Sequence, residues 1–115
     1  MLRGEIREVN FEPVQGSEAS KRRPAVIVSN DGANTTASRL NRGVITVVPV
    51  TSNVTRIYPF QVFLPASDSG LRRDSKAQAE QVRSVAAERV GGRVGQLTAS
   101  LLSELDDALR LHLSL

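Results

Sequence analysis

The chain of 115 residues contains no cysteine and no tryptophan, and His112 is its single histidine. Without cysteine it can form neither a disulfide framework nor a thiolate metal site, which fits a cytoplasmic protein. A zinc site needs several cysteine or histidine ligands, and one histidine cannot supply them. We therefore expect no metal and no cofactor.

Long apolar stretches and aromatic side chains are also scarce. No apolar run approaches the roughly 18 residues needed to cross a membrane, and the opening MLRGE lacks the apolar stretch of a signal peptide. The aromatic residues are Phe11, Tyr58, Phe60 and Phe63, so the core must be built from valine, leucine, isoleucine and alanine. We expect one cytoplasmic domain, residues 1–115, without a membrane segment.

Positive charge is concentrated in the first half of the chain. Residues 1–60 carry eight lysines and arginines against five acidic residues, whereas residues 61–115 carry seven of each, which gives the net charge of +3. Lys21, Arg22 and Arg23 stand directly before Pro24 and a β-branched run. On charge alone, a polyanion-binding face and an ordinary solvated surface stay equally open.

Short apolar runs bounded by turn residues predict β-strands along most of the chain. The predicted strands cover residues 4–9, 25–29, 43–50, 57–64 and 77–85. Polar segments at residues 12–22, 30–42 and 67–76 are predicted to be loops, with only weak support for a helical turn within 30–42. Gly91, Gly92 and Gly95 predict turns around a short segment at 93–94.

The last part of the chain has a different period. Residues 98–113 place Leu101, Leu105, Ala108 and His112 on one apolar stripe at helical spacing, and Thr98 or Ser100 can cap its first turn. His112 is interpreted as a packed or capping residue. Many short strands with one amphipathic helix predict a mainly β fold, a strongly bent antiparallel sheet or small barrel with a C-terminal helix.

The usual catalytic constellations and phosphate-binding loops are missing. Cleavage of RNA needs neither, because the 2′-hydroxyl beside each phosphate is a built-in nucleophile that is favoured by proximity. A guanidinium that clamps the phosphate and a hydroxyl that donates to its developing charge could suffice. Strand ends offer such groups at Arg22 and Arg23 and at Thr51 and Ser52, although each is also an ordinary surface residue.

Five segments in order resemble the MazF/PemK (Kid) family of toxin endoribonucleases: RGEIREVN, GSEASKRRPAVIVSND, VITVVPVTSN, KAQAEQVRSV and LDDALRLHLSL. The resemblance implies an SH3-like β-barrel with a C-terminal helix that forms a homodimer. It also implies metal-independent cleavage of single-stranded RNA, often mRNA, to a 2′,3′-cyclic phosphate and a 5′-hydroxyl. A cognate antitoxin with an acidic, disordered tail would block the groove.

The resemblance also assigns roles to individual residues. The family's catalytic arginine precedes proline and falls on Arg23, its catalytic hydroxyl falls on Thr51, and an acidic residue used by some relatives falls on Glu80. We interpret Arg23 as phosphate clamp and as proton donor to the leaving 5′-oxygen, while Glu80 or water removes the 2′-proton. The predicted RNA-binding residues are Ser17, Lys21, Arg22, Ser52, Gln78 and Gln81.

Two other functions stay open. The first is a non-catalytic inhibitor of the same fold that resembles CcdB and acts on DNA gyrase through the end of the C-terminal helix. The second is an RNA-binding module without chemistry. Both predict that Arg23→Ala leaves activity largely intact, whereas the nuclease hypothesis makes this change disabling.

Overall fold

A computed structural model describes residues 1–11 and 22–115 of the chain. Within these ranges there are seven β-strands and three α-helices. The strands are β1 (Glu5–Asn10), β2 (Arg22–Ile27), β3 (Val44–Thr51), β4 (Gln61–Leu64), β5 (Ser75–Gln78), β6 (Arg83–Ala86) and β7 (Val90–Gln96). The helices are α1 (Asp31–Leu40), α2 (Ala66–Ser69) and α3 (Ala99–Leu113).

All strand pairs are antiparallel, in the order β4-β5-β3-β2-β1-β7, and β6 also pairs with β3. Over the described residues β4 and β7 are the two edges of this order and do not pair with each other. The strongly bent sheet is therefore not closed into a barrel. The predicted fold class is confirmed.

The core is divided into two clusters of buried aliphatic side chains. One lies between the sheet and α3 and includes Ile6, Leu64 and Leu105. The other includes Ile27 and Ile45 and reaches Ala37 of α1. Because β2 and β3 supply residues to both clusters, their alternating side chains are buried on both faces, as the β-branched run in β2 predicts.

The helix α3 confirms the prediction for residues 98–113 almost residue for residue. Thr98 is the N-cap, and its hydroxyl accepts a hydrogen bond from the backbone N–H of Leu101. Leu101, Leu105 and Ala108 are buried, but His112 is exposed, so the apolar stripe packs only over the first three turns. No helix in the described ranges has the length and apolar character that a membrane span requires.

Most of the segment 30–42, predicted to be a loop, is the helix α1. The Asn30 side chain accepts from the Ala33 N–H at its start, and Asn41 ends it with a positive φ of 49°. Asn34 is fully buried, donates to the Ser29 carbonyl and accepts from the Ser29 hydroxyl. The polar residues that weakened the helix prediction are its caps and its anchor to the sheet.

Other element boundaries were also wrong. Arg22 and Arg23 belong to β2 instead of preceding it, and β4 begins only at Gln61. The strand predicted at 77–85 is two strands, β5 and β6, separated by a 3-10 turn at Ala79–Gln81. The glycine-rich segment predicted as turns is the strand β7, paired with β1 through two irregular steps.

The start of β1 holds the carboxylate of Glu5 in a buried position. Burial alone would raise its pKa, but hydrogen bonds from the Leu2 N–H and from Arg7, together with the charge of Arg7, more than offset this effect. The pKa of Glu5 is therefore below its ordinary value. A guanidinium nitrogen of Arg7 lies 3.1 Å from the same carboxylate oxygen.

Candidate functional site

The strands β2 and β3 separate at their outer ends and form a fork in the sheet. Their pairing runs from Ile27–Val47 to Ala25–Pro49. Proline has no N–H to donate, so Pro24 and Pro49 supply no donor at this end of the ladder. Beyond this point β3 pairs with β5 through Val50 and Thr51. Continuing the β2–β3 register would set Thr51 opposite Arg23, one residue on each prong.

A cavity of about 900 Å³ opens at this fork. Arg23 and Thr51 both line it, so the fold brings the two predicted catalytic side chains to one site. The cavity contains three arginines against one carboxylate, which makes it suited to a polyanion. Its lining residues are Glu8, Arg23, Pro24, Val50, Thr51, Ser52, Gly70, Leu71, Arg72, Arg73 and Val94.

A second cavity of about 280 Å³ also includes Arg23 in its lining. Its other walls carry amide, guanidinium and aromatic groups from Phe11, Pro49, Gln78, Gln81 and Arg83. The Arg83 guanidinium lies 5.3 Å from the centre of the Phe11 ring, a cation–π contact. Amide and guanidinium groups can donate to base edges, so this cavity has the chemistry for nucleobase recognition.

The Thr51 hydroxyl is oriented by the turn that follows β3. Its oxygen accepts a hydrogen bond from the Asn53 N–H at 3.2 Å, and the Asn53 side chain accepts in turn from the Thr55 N–H at 3.3 Å. Because the hydroxyl acts as acceptor in this bond, its hydrogen can be donated to a ligand. Thr51 is therefore suited to donate to a phosphate oxygen in the larger cavity.

The predicted RNA-binding residues are distributed over both cavities. Ser52 lines the larger cavity, and Gln78 and Gln81 line the smaller one. Arg22 is exposed at the start of β2, opposite Asn10, and lines neither. Ser17 and Lys21 lie outside the described residues, so their predicted roles stay predictions.

Glu80 lies elsewhere. It belongs to the 3-10 turn between β5 and β6, and its Oε2 accepts a hydrogen bond of 2.6 Å from the Gln61 amide. Its Oε1 is buried and has no hydrogen-bond partner in the part of the chain that the structure describes. Glu80 lines neither cavity, so its catalytic role stays a prediction without support from this arrangement.

Four charged residues that line the cavities were not predicted from the sequence: Glu8, Arg72, Arg73 and Arg83. The adjacent pair Arg72 and Arg73 was the one available signal, but it falls in a segment interpreted as a solvated loop. Residues 1–11 and 22–115 contain no group of three or more His, Cys, Asp or Glu side chains that could hold a metal ion.

Comparisons with known proteins show the family of the chain. Residues 2–113 match the family model described as PemK-like, MazF-like toxin of type II toxin-antitoxin system. The chain is 60% identical over 115 residues to Endoribonuclease MazF9 of Mycobacterium tuberculosis, covering 100% of this chain and 98% of that protein.

Solved structures of similar chains have the same fold. MazF from Deinococcus radiodurans is 29% identical with a TM-score of 0.76, covering 100% of this chain and 97% of that one. An endoribonuclease from a mycobacterial species, solved in complex with its cognate antitoxin, has the same fold, with a TM-score of 0.78 and 23% identity over 100% of this chain and 96% of that one.

Proposed function

The chain belongs to the PemK-like, MazF-like family of toxins of type II toxin–antitoxin systems, and from this premise we propose that it is a metal-independent endoribonuclease. Its substrate is single-stranded RNA, with mRNA as the expected class, and its products carry 2′,3′-cyclic phosphate and 5′-hydroxyl ends. The observation that carries the proposal is the joint placement of Arg23 and Thr51 on the larger cavity.

The reaction is an intramolecular transfer at one phosphate. The 2′-oxygen forms a bond to phosphorus, the bond from phosphorus to the 5′-oxygen breaks, and the 5′-oxygen gains a proton. Arg23 in its cationic form clamps the phosphate. As proton donor it passes one guanidinium proton to the leaving 5′-oxygen, since an alkoxide is a stronger base than a neutral guanidine, and solvent water then returns a proton to Arg23. Thr51 donates to a non-bridging oxygen as charge develops there. Because Glu80 lines neither cavity, water in the open cavity accepts the 2′-proton.

Binding of the RNA chain is divided between the two cavities. Arg23 is common to both, so the scissile phosphate sits at Arg23 and the chain extends to either side. Gln78 and Gln81 contact a base in the smaller cavity, and Ser52 contacts the chain in the larger one. Ser17, Lys21 and Arg22 contribute further contacts as predicted from the family.

The proposed partners follow the family. A cognate antitoxin with an acidic, disordered tail would cover the basic larger cavity, as a cognate antitoxin is bound to the mycobacterial endoribonuclease of the same fold. The proposed assembly is a homodimer, and exposed apolar side chains such as Val44, Leu111 and Leu113 are available for it. The proposed location is the cytoplasm, where mRNA is found.

The test is incubation of the purified protein with mixed single-stranded RNA in EDTA, followed by analysis of the product ends. Arg23→Ala and Thr51→Ala should each lower the single-turnover rate by about 10²–10³-fold, as loss of a transition-state donor does. Arg39→Ala, an exposed arginine on α1, is the matched control and should cleave like the parent.

Cyclic-phosphate ends that depend on both Arg23 and Thr51 would support the proposal. Intact RNA with a folded parent protein would refute it, and RNA binding without cleavage would favour the module without chemistry. The CcdB-like alternative is not favoured, since the relatives found are named endoribonucleases.

A further inference from the structure

The segment between α2 and β5 carries two arginines that line the larger cavity. Hydrogen bonds hold the backbone of this segment in place. The Asp74 carboxylate accepts from the Ala66 N–H at 2.9 Å, and the Ser69 hydroxyl donates to the Pro65 carbonyl at 2.9 Å. Gly70 ends α2 with a φ of 83° and donates to the Ala66 carbonyl. Both ends of the segment are thus tied to α2.

The same segment is packed against β7. A Cβ atom at Gly70 would lie 3.2 Å from the Gly95 Cα and 3.3 Å from the Val94 carbonyl oxygen, so the two backbones are in direct contact. Leu71 packs on the core cluster beneath α3. The position of the next two residues is therefore fixed by the fold.

Those residues are Arg72 and Arg73, which are exposed and line the larger cavity together with Arg23. Among the described residues, no salt bridge or side-chain hydrogen bond engages either guanidinium. The neighbouring acid, Asp74, is instead turned back to Ala66. Both guanidinium groups can therefore bind an anion on this side of Arg23.

We propose that Arg72 and Arg73 form a second phosphate-binding subsite, which holds the RNA backbone next to the scissile phosphate at Arg23. This inference rests on the proposed function, because it assumes that Arg23 binds the scissile phosphate. The subsite positions the chain and does not read its sequence, since phosphate contacts carry no base information. An acidic peptide could meet the same charges, but the shared cavity with Arg23 and Thr51 favours RNA.

The experiment measures binding of a fluorescein-labelled 2′-O-methyl RNA of about 12 nucleotides and random sequence, which fits a single-strand groove. This probe cannot be cleaved, because its 2′-oxygens are blocked. Arg72→Gln/Arg73→Gln should weaken binding by about tenfold or more. The slope of log K against log salt should flatten by about 0.7 for each phosphate that the variant no longer neutralises.

Two control variants distinguish the loss of a phosphate-binding subsite from a general loss of positive charge. Arg39→Gln removes one positive charge from α1, outside the cavity, where the double variant removes two, and should leave the salt slope at the parent value. Arg72→Lys/Arg73→Lys keeps the charge and should retain most of the slope. In single-turnover cleavage at saturating RNA, the double Gln variant should lose far less than Arg23→Ala does.

Equal losses in Arg39→Gln and the double Gln variant, or an unchanged slope in the double Gln variant, would overturn the subsite. The same holds if the double Gln variant loses binding to polyglutamate but keeps binding to RNA, because the surface would then belong to a protein partner. A parent protein that cleaves RNA with no slope change in the variant refutes only the subsite. A flattened slope without any cleavage by the parent refutes only the proposed function.

Discussion

Gly95 of β7 lies against the backbone of Ser69 at the end of α2, and Gly95→Ala tests that contact. A Cβ atom there would lie inside van der Waals contact of the Ser69 carbonyl oxygen, 3.2 Å from the Ser69 carbonyl carbon and 3.5 Å from the Ile6 Cδ1. The nearest atoms belong to the backbone of α2 and not to a flexible side chain. Either α2 or β7 must therefore move.

The size of the effect follows from two opposing terms. Forcing extra volume into a packed contact costs about 1–3 kcal/mol, whereas replacing glycine with alanine in a strand gains about 0.5–1 kcal/mol. With backbone on both sides we expect the upper part of the cost, a net loss of about 2 kcal/mol. For a chain of this size that lowers Tm by roughly 8 °C.

Gly92 supplies the matched control, because a Cβ there meets no atom within 4 Å. Gly92→Ala should be neutral or raise the unfolding free energy by up to about 1 kcal/mol. Thermal and urea unfolding of both variants, followed by circular dichroism, would measure the difference. A Gly95→Ala protein that melts at or above Gly92→Ala would refute the contact between α2 and β7.

Two carboxylates on β1 give the remaining predictions. Glu8→Gln should tighten binding of the 2′-O-methyl RNA by about two- to fivefold, because a negative charge beside three arginines repels phosphate; weaker binding in a fluorescence anisotropy titration would contradict this. The pKa of Glu5 is below its ordinary value near 4.5 in the folded state, so its charge stabilises the fold above that pH, and this stability is lost as the pH falls through the folded-state pKa. Glu5→Gln should therefore lower the urea midpoint at pH 7 and lose this difference in acid, whereas an equal difference at both pH values would argue against the Arg7 contact.

Much of the fold could be predicted from the sequence, because the spacing of apolar residues that indicates a helix or a strand is a local property. Leu101, Leu105 and Ala108 repeat at helical spacing, and their burial in α3 matches that pattern. The β-branched runs in β2 and β3 likewise predicted strands buried on both faces. The helix α1 was not predicted because its stabilising contacts use polar side chains that are typical of loops, such as Asn34, which is bonded to Ser29 two residues after the end of β2.

The strand β7 escaped prediction for a similar reason. Gly91 and Gly95 are typical of turns when only their neighbours in sequence are considered. In the fold they allow close backbone approach, since a Cβ at Gly91 would lie 3.2 Å from the Glu8 carbonyl oxygen. The need for a missing side chain becomes apparent only when the partner strand is in place.

The candidate site, like the fold, could be predicted from the sequence only in part. Arg23 and Thr51 were predicted from motifs at strand ends, and the register of β2 and β3 explains why they meet. The cavity is also lined by Arg72, Arg73 and Glu8. The fold brings their segments close to Arg23, and no spacing in the sequence connects them to it. Glu80 illustrates the reverse, because a motif position does not fix which way a carboxylate points from within a 3-10 turn.

The fork between β2 and β3 also bears on when the candidate site is assembled. Arg23 and Thr51 stand on two prongs of one hydrogen-bonded sheet, and two prolines mark where the prongs part. The spacing of their backbones is thus set when the chain folds and does not have to be assembled when RNA arrives. We therefore expect the backbone at Arg23 and Thr51 to keep the same spacing whether or not RNA or the antitoxin is bound.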